Sequence, residues 1–409
     1  MTELLEAASA SPRIARLAAE LEAAGAHLLA AKTYPYNPEL VLEAADRSGA
    51  GDSTTDRGLA LVQRFELGGQ RGERRAAAEA DLDGARGAIV RARRLALADA
   101  AGTFALTVFE RERLAIERAD AELARSFAEL VERRLEAGAA TALDLALAQA
   151  GLARAQGSLA AAQGAYLAAQ ARLAEAAGGV ETEVAPIEPT PIEPVLVEAM
   201  LIEPKGELPP LTAPPPLQET LDLAFAGRGD LRAARSAIEA AAERVRLARS
   251  GRVPDLTVSA RVGREEGDDL AGINLGLPLP LFDRNQGQIA RAAAELSIAR
   301  ADLAARELVV RREVTAAHVR FEAALEAHRS AERLGVTSLE DGLGLVERSF
   351  EAGRIGAAEL LLFRRELVEG RRQAVAADAE VWSAALELVA AVGAGLPGWE
   401  WLDVERRKP

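Results

Sequence analysis

The sequence predicts a mainly helical fold with a small β part, built from one helix–β-hairpin–long helix–helix unit used twice. Three observations carry this. The composition suits helices: 49% of the 409 residues are hydrophobic, only 4% are aromatic, and alanine and arginine recur throughout. Ten of the 18 prolines fall between Val180 and Pro216 and divide the chain into halves of similar length. The halves also repeat one another. Leu130-Val131-Glu132-Arg133 precedes Glu136-Ala137-Gly138, and Leu345-Val346-Glu347-Arg348 precedes Glu351-Ala352-Gly353. The same offset of 215 residues (130 to 345) maps Gly72 onto Gly287, Leu145 onto Leu360 and Gly178 onto Gly393. Both copies carry RAAAE, from Arg75 and from Arg291. An ungapped correspondence of this length marks an internal duplication.

Residues 1–179 form the first repeat, with a helix expected over 12–32, hairpin strands at 38–46 and 58–67, and a long helix over 73–137. Residues 180–216 form an extended linker, because proline continues neither a helix nor a central strand. Residues 217–396 form the second repeat, with a helix over 230–250, strands at 255–263 and 270–279, and a long helix over 288–352. Residues 397–409 are a tail. A glycine break and a second helix of roughly 35 residues follow each long helix. At 1.5 Å per residue the long helices span roughly 97 Å. Their apolar residues recur at 4-3-4 spacing, as in Leu97, Ala101, Phe104 and Val108, and again in Val310, Val314, Ala317 and Phe321. That is coiled-coil packing, and the abundant alanine lets a helix pack closely on two sides.

The strand segments alternate with period two. Leu40, Leu42 and Ala44 oppose Glu39, Val41 and Glu43. Leu59, Leu61, Phe65 and Leu67 oppose Arg64 and Glu66. Leu256, Val258, Ala260 and Val262 oppose Thr257, Ser259 and Arg261. Ile273 and Leu275 begin a run in which Leu277, Leu279 and Leu281 alternate with Asn274, Gly276, Pro278 and Pro280. Strands of about nine to eleven residues have the length a tilted strand needs to cross a bilayer. Tyr34, Tyr36, Phe65 and Phe282 sit near strand ends, where an interfacial girdle places aromatics. An ordinary soluble hairpin would need a core to cover its apolar face, and helices running away from the strands offer none.

The remaining composition excludes more than it suggests. A net charge of −14 speaks against a general nucleic-acid binder. With no cysteine there is no disulfide, thiolate metal site or cysteine nucleophile, and with three histidines there is little for metal or acid–base chemistry. His318 and His328 are ten residues apart on one helix, on different faces, and His27 stands alone. Gly68-Gly69-Gln70-Arg71-Gly72 opens a helix after a strand but lacks the lysine and hydroxyl of a phosphate loop, so it reads as a turn. No enzyme, cofactor or resident metal is expected. No stretch of about 18 apolar residues offers a transmembrane helix, and the acidic start (Met1 to Ala10) has no cationic export signal.

The duplicated plan resembles the TolC-like outer membrane efflux factors. The resemblance spans nearly the whole chain and is carried by PDLTVSARVG at 254–263, LGLPLPLFDRNQGQIARAAAEL at 275–296 and RSFEAGRIGAAELL at 348–361. The PLPLFDRNQG stretch is particularly like the branch serving cobalt–zinc–cadmium or copper–silver efflux pumps. The resemblance implies a homotrimer with a twelve-stranded outer membrane barrel, four strands per chain, continued by a periplasmic α-barrel tunnel. It implies a Gram-negative outer membrane location, the linker in an equatorial collar, and docking to a periplasmic adaptor and an inner-membrane transporter. It implies a passive exit duct for solutes, with metal cations as candidates. Against the family pattern, the first residues resemble an interior point of the first helical region, so the chain is expected to be truncated or mis-started. The competing class is a cytosolic coiled-coil scaffold whose strands form a dimerisation hairpin.

Four strands cannot close a barrel with a lumen, and an open edge cannot face lipid, which points to three chains. Leu40, Leu42, Leu59, Leu61, Leu256, Val258, Ile273 and Leu275 are expected to face outer membrane lipid. Glu39, Glu43, Arg64, Glu66, Thr257, Ser259 and Arg261 are expected to line the lumen. At the glycine breaks, Glu136, Gly138, Thr141 and Asp144 in one repeat and Glu351, Gly353, Arg354, Gly356 and Glu359 in the other are expected to form the periplasmic gate and adaptor contact.

Overall fold

A computed structural model describes residues 12–48, 53–176, 208, 211–266, 268–334 and 336–397. In chain order the elements are α1 (Pro12–Lys32), β1 (Glu39–Ser48), β2 (Ser53–Phe65), α2 (Gln70–Glu136) and α3 (Ala142–Ala176). Then come α4 (Leu217–Gly227), α5 (Gly229–Ser250), β3 (Leu256–Glu265), β4 (Asp268–Gly276), α6 (Gln286–Leu334), α7 (Val336–Glu351) and α8 (Ala357–Val392). The order helix, two strands, long helix, helix therefore occurs twice. Ala142 and Ala357, the first residues of α3 and α8, stand at the sequence offset.

Two points need correcting. The fourth strand stops at Gly276, not 279, because the prolines at 278 and 280 cannot donate to a ladder. The second long helix is described as α6 and α7, with residue 335 outside the described residues. The eleven-residue α4 was not anticipated; Pro214 to Pro216 before it and Gly227 at its end are its start and stop signals. Most of the 180–216 linker, and the tail from 398, lie outside the described residues.

Packing does not follow the repeats. One compact unit takes Ala15–Arg91 and Arg228–Val309, and the other takes Met1–Ile14, Ala92–Gly227 and Val310–Pro409. Each unit thus draws on both halves of the sequence, so neither repeat folds around a core of its own.

The first unit holds the sheet. Its strands run in the order β1-β2-β3-β4, antiparallel throughout. The two hairpins join through β2 and β3, where Leu61 pairs with Ala260 and Leu59 with Val262. Beside the sheet, α5 lies on the first part of α2 at very short range. A Cβ on Gly229 would come 2.2 Å from the Gly87 carbonyl oxygen, so only glycine fits there. Asp83 of α2 then accepts hydrogen bonds from Arg232 and, at 3.0 Å, from Ser236 of α5.

The other unit is packed mainly by small and aromatic side chains. Ala101, Ala105 and Phe109 of α2 meet Trp382 and Leu386 of α8, with Leu208 and Leu211 packed over them. In α3 the buried residues Ala148, Ala155, Ala162 and Ala169 recur every seven positions, a seam narrow enough for close helix approach. Glu117 of α2, with its side chain 3% exposed, accepts from both Nε and Nη2 of the Arg372 guanidinium of α8, each at 2.6 Å.

Candidate functional site

The register decides which strand residues share a face. Leu40 pairs with Leu61, Leu61 with Ala260 and Ala260 with Ile273, so one row crosses all four strands. Leu42, Leu59, Val262 and Ala271 form the next row, and Val258 with Leu275 a third. Leu256, opposite Phe65, completes the face. All eight residues expected to meet lipid therefore lie on one side of the sheet. Six of them are exposed within the chain, Leu42 and Ile273 each to 78%, while Leu256 and Val258 are half-buried. A contiguous apolar face of this extent is unusual for a surface in water.

The opposite face carries Glu39, Glu43, Arg64, Thr257, Ser259 and Arg261, with Val41, Val62 and Leu270 among them. Arg261 bridges Glu43 at 3.1 Å and also pairs with Glu265. Glu66 does not belong to this set. It follows the last residue of β2, its side chain is 7% exposed, and Arg74 of α2 grips both its oxygens at 2.5 and 2.9 Å. It fastens the strand to the helix.

The aromatics at the base of the sheet divide. Tyr34 accepts the Glu66 N–H and donates to the Arg64 carbonyl, both at 2.9 Å, and Tyr36 donates to Asp255 at 3.2 Å. The Arg64 guanidinium lies 4.8 Å from the centre of the Tyr36 ring. Tyr34 thus holds the end of β2 against the segment that follows α1, and Tyr36 joins the bases of the two hairpins. Phe282, by contrast, is 93% exposed.

In the helical unit the two glycine breaks are built alike. Gly138 donates to the Leu135 carbonyl at 2.9 Å and Ala139 to Arg134 at 2.7 Å; Gly353 donates to Phe350 and Arg354 to Ser349, both at 2.9 Å. This double closure, with a left-handed glycine, ends a helix and satisfies its last carbonyls. Thr141 then caps α3: its N–H and hydroxyl reach the Asp144 carboxylate at 2.9 and 2.7 Å, and its oxygen receives the Asp144 N–H. The Thr141 hydroxyl, then its N–H, hold the Asp144 carboxyl below the usual carboxylate range. In the other repeat Glu359 takes the Gly356 N–H at 3.2 Å. The expected gate charges Asp144 and Glu359 are thus equivalent capping residues, while Glu136 and Arg354 are exposed. Glu351 is the last residue of α7.

Beneath the turns lies a core the sequence did not single out: Phe127, Ala128 and Val131 of α2, Ala148 of α3, Phe350 of α7, and Ala357 and Leu360 of α8. Arg134 and Arg364 flank it. Only their aromatic neighbours could have hinted at this, and those neighbours are far off in sequence.

Among the described residues no group of three or more His, Cys, Asp or Glu could hold a metal ion. His318 is buried against the Pro215 carbonyl at 2.9 Å, and His328 meets Asp378 at 2.6 Å. Among the described residues no helix is long and apolar enough to cross a membrane.

A doubled long-helix unit carrying a four-stranded sheet with one apolar face defines a class of long-helix proteins with a small sheet. The chain belongs to the outer membrane efflux protein family, whose model matches residues 4–179 and 220–394. It is 25% identical over 371 residues to the cobalt-zinc-cadmium resistance protein CzcC of Cupriavidus metallidurans, covering 89% of this chain and 82% of that one. Its fold is similar to the outer membrane protein VceC of Vibrio cholerae, with a TM-score of 0.75, 21% identity, and 96% of each chain covered. It is similar also to the CmeC outer membrane channel of Campylobacter jejuni, with a TM-score of 0.76, 14% identity, and 97% and 85% covered. The soluble scaffold with a dimerisation hairpin finds no support among these likenesses.

Proposed function

We propose that the chain is the outer membrane exit duct of a tripartite efflux pump, working as a homotrimer with a periplasmic adaptor and an inner-membrane transporter. One observation carries this reading: a single apolar face runs in register across all four strands, and both outer strands, β1 and β4, leave an edge without a partner among the described residues. In lipid every backbone group needs a partner, so those edges must meet the edges of other copies. Three copies would supply twelve strands, within the range of outer membrane barrels.

In that barrel Leu40, Leu42, Leu59, Leu61, Leu256, Val258, Ile273 and Leu275 face lipid. Glu39, Glu43, Arg64, Thr257, Ser259 and Arg261 face the lumen. The turns 139–141 and 354–356 are the adaptor's landing points, and Glu136 and Arg354 form charged rings near the exit's inner mouth. The likeness to a cobalt-zinc-cadmium resistance protein favours divalent metal cations as the exported solute.

Light scattering in mild detergent tests the assembly, with a trimer expected and a monodisperse monomer fatal to the reading. Planar bilayers test the duct: the purified protein should pass ions. A host lacking its own channel for metal export should regain cobalt, zinc or cadmium resistance when the chain is expressed with its adaptor and transporter. Growth restored only against organic toxicants would transfer the proposal to another solute class.

A further inference from the structure

Two arginines stand directly opposite one another on the apolar side of the sheet. Arg57 of β2 pairs in register with Arg264 of β3, in the row that also holds Ala44 of β1 and Asp269 of β4. This row follows the one formed by Leu42, Leu59, Val262 and Ala271, on the way to the hairpin turns. The rows from Phe65 to Leu59 carry no charged side chain on that face, so this row holds the first charges met beyond the apolar band.

Its depth fits a membrane rim. Arg57 stands eight positions (65 − 57) from Phe65 along β2. At about 3.4 Å per residue and a strand tilt of about 35–45°, that is roughly 20 Å of depth, close to the ~25 Å apolar band of outer membrane barrels. The long helices leave the strands at the Phe65 end, so on the channel reading the arginine row lies at the outer rim, level with lipid headgroups.

The pair is short of negative charge. Arg57 is exposed and has no hydrogen-bond or ion-pair partner among the described residues. Arg264 gives Nε and Nη2 to one oxygen of Asp269, at 2.9 and 2.8 Å, which leaves its Nη1 over. Asp46, one row further out, is engaged by the Thr55 hydroxyl at 2.9 Å. Like charges directly opposite in a sheet destabilise it unless something neutralises them. The polar face shows the contrast, for there Arg261 meets two carboxylates of its own chain, Glu43 and Glu265.

We propose that Arg57 and Arg264 bind a phosphate group of an outer-leaflet glycolipid, one site per chain, with the acyl chains lying on the Leu42, Leu59 and Val262 row. The site rests on the channel reading, which puts this face in lipid. Planar guanidinium forks match phosphate oxygens two at a time, and two of them balance the charge of a phosphate monoester. The apolar rows beside them favour a lipid over a free anion, which would gain nothing from those rows.

The test is native mass spectrometry of the purified full-length protein in mild detergent, with bis-phosphorylated lipid A as the probe. Three bound lipids per trimer are expected. Arg57→Gln and Arg264→Gln should each weaken apparent affinity about tenfold, the effect of losing roughly one charge-assisted hydrogen bond. Asp269→Asn, which frees Arg264, should strengthen it. Arg133→Gln is the control, because Arg133 is exposed and reaches only the Glu129 carbonyl of its own helix at 3.3 Å. If Arg57→Gln assembles poorly, Arg264→Gln and Asp269→Asn carry the comparison, since a general loss of folding cannot move affinity in opposite directions. Lipid A stripped of its phosphates should bind no better to the wild type than intact lipid A binds to the double glutamine variant. Excess inorganic phosphate should not displace the lipid. Equal binding of the stripped lipid, displacement by inorganic phosphate, or wild-type affinity in assembled variants overturns the site and leaves the channel standing, because conductance in planar bilayers judges the channel separately. A monomeric wild type that passes no ions removes the channel reading and the lipid site with it.

Discussion

Gly138 and Gly353 hold the same left-handed backbone conformation, with φ of +70° and +69°, at equivalent places in the two repeats. No atom lies within 4 Å of where a Cβ would be at either residue. The need for glycine is therefore conformational and owes nothing to crowding. Gly138→Ala and Gly353→Ala should each destabilise the turn by about 1 kcal/mol, with asparagine milder than alanine at both. Local hydrogen exchange at residues 137–141 and 352–356 reads this directly. A large penalty at one glycine and none at the other would mean that the matching dihedrals conceal different surroundings.

Adjacent strand positions test the sheet's faces. Val258 lies in a row with Gln63 and Leu275, and Ser259 in a row with Val62 and Asn274 on the other side. An arginine facing lipid costs about 2–4 kcal/mol near the bilayer midplane. Val258→Arg should reduce folded trimer in outer membrane extracts severely, and Ser259→Arg should leave it nearly unchanged. Equal loss from both would mean that the apolar face does not meet lipid.

How legible this was depended on the range of each signal. Alternation and offset are local or repetitive, so the strands, both glycine breaks and the sharing of one face by eight apolar residues could be read directly. Glu66 was misplaced because alternation cannot say where a ladder stops. One residue beyond β2 it turns away from the face and pairs with Arg74. Likewise Leu277, Leu279 and Leu281 keep the alternating pattern, but the intervening prolines end β4 at Gly276. Asp144 and Glu359 looked like gate charges because position alone does not distinguish a free carboxylate from one closing a helix start. The pairing of Arg364 with Leu123 joins residues 241 apart, and no local pattern carries that information.

The Glu117–Arg372 pair joins α2 to α8, and its two ends are unequally buried, at 3% and 33% exposed. Removing the arginine leaves a buried carboxylate without its partner, which in a fully buried pair costs about 3–5 kcal/mol. Because Arg372 keeps some contact with water, Arg372→Met should cost about 2–3 kcal/mol in thermal or denaturant unfolding. Combining it with Glu117→Leu should recover most of the loss, since two apolar groups can replace such a pair. A double variant as unstable as Arg372→Met alone would mean the pair orders the helices in a way that apolar packing cannot.

Asp120, near that pair, should behave in the opposite sense. Burial pushes its carboxyl above the ordinary range and outweighs the pull of Arg372, with Glu117 adding to the push and Arg364 opposing it. A carboxyl raised on folding binds its proton more tightly in the folded protein. Its favourable contribution is therefore present at pH values below its unfolded pKa and is lost as pH rises through the raised folded value. At neutral pH the charged Asp120 is a liability that a neutral side chain of the same shape would remove. Asp120→Asn should raise the melting temperature by a few degrees near pH 7, and the advantage should vanish as pH falls into the carboxylate range. Glu112 is also raised, first by partial burial and then by the nearby charge of Asp378, but its side chain is exposed and water screens it, so Glu112→Gln should respond in the same sense and more weakly. Melting curves of the two variants and the wild type across this pH interval are the measurement. If Asp120→Asn melts lower than wild type at pH 7, the guanidiniums of Arg372 and Arg364 hold the Asp120 charge more strongly than burial opposes it.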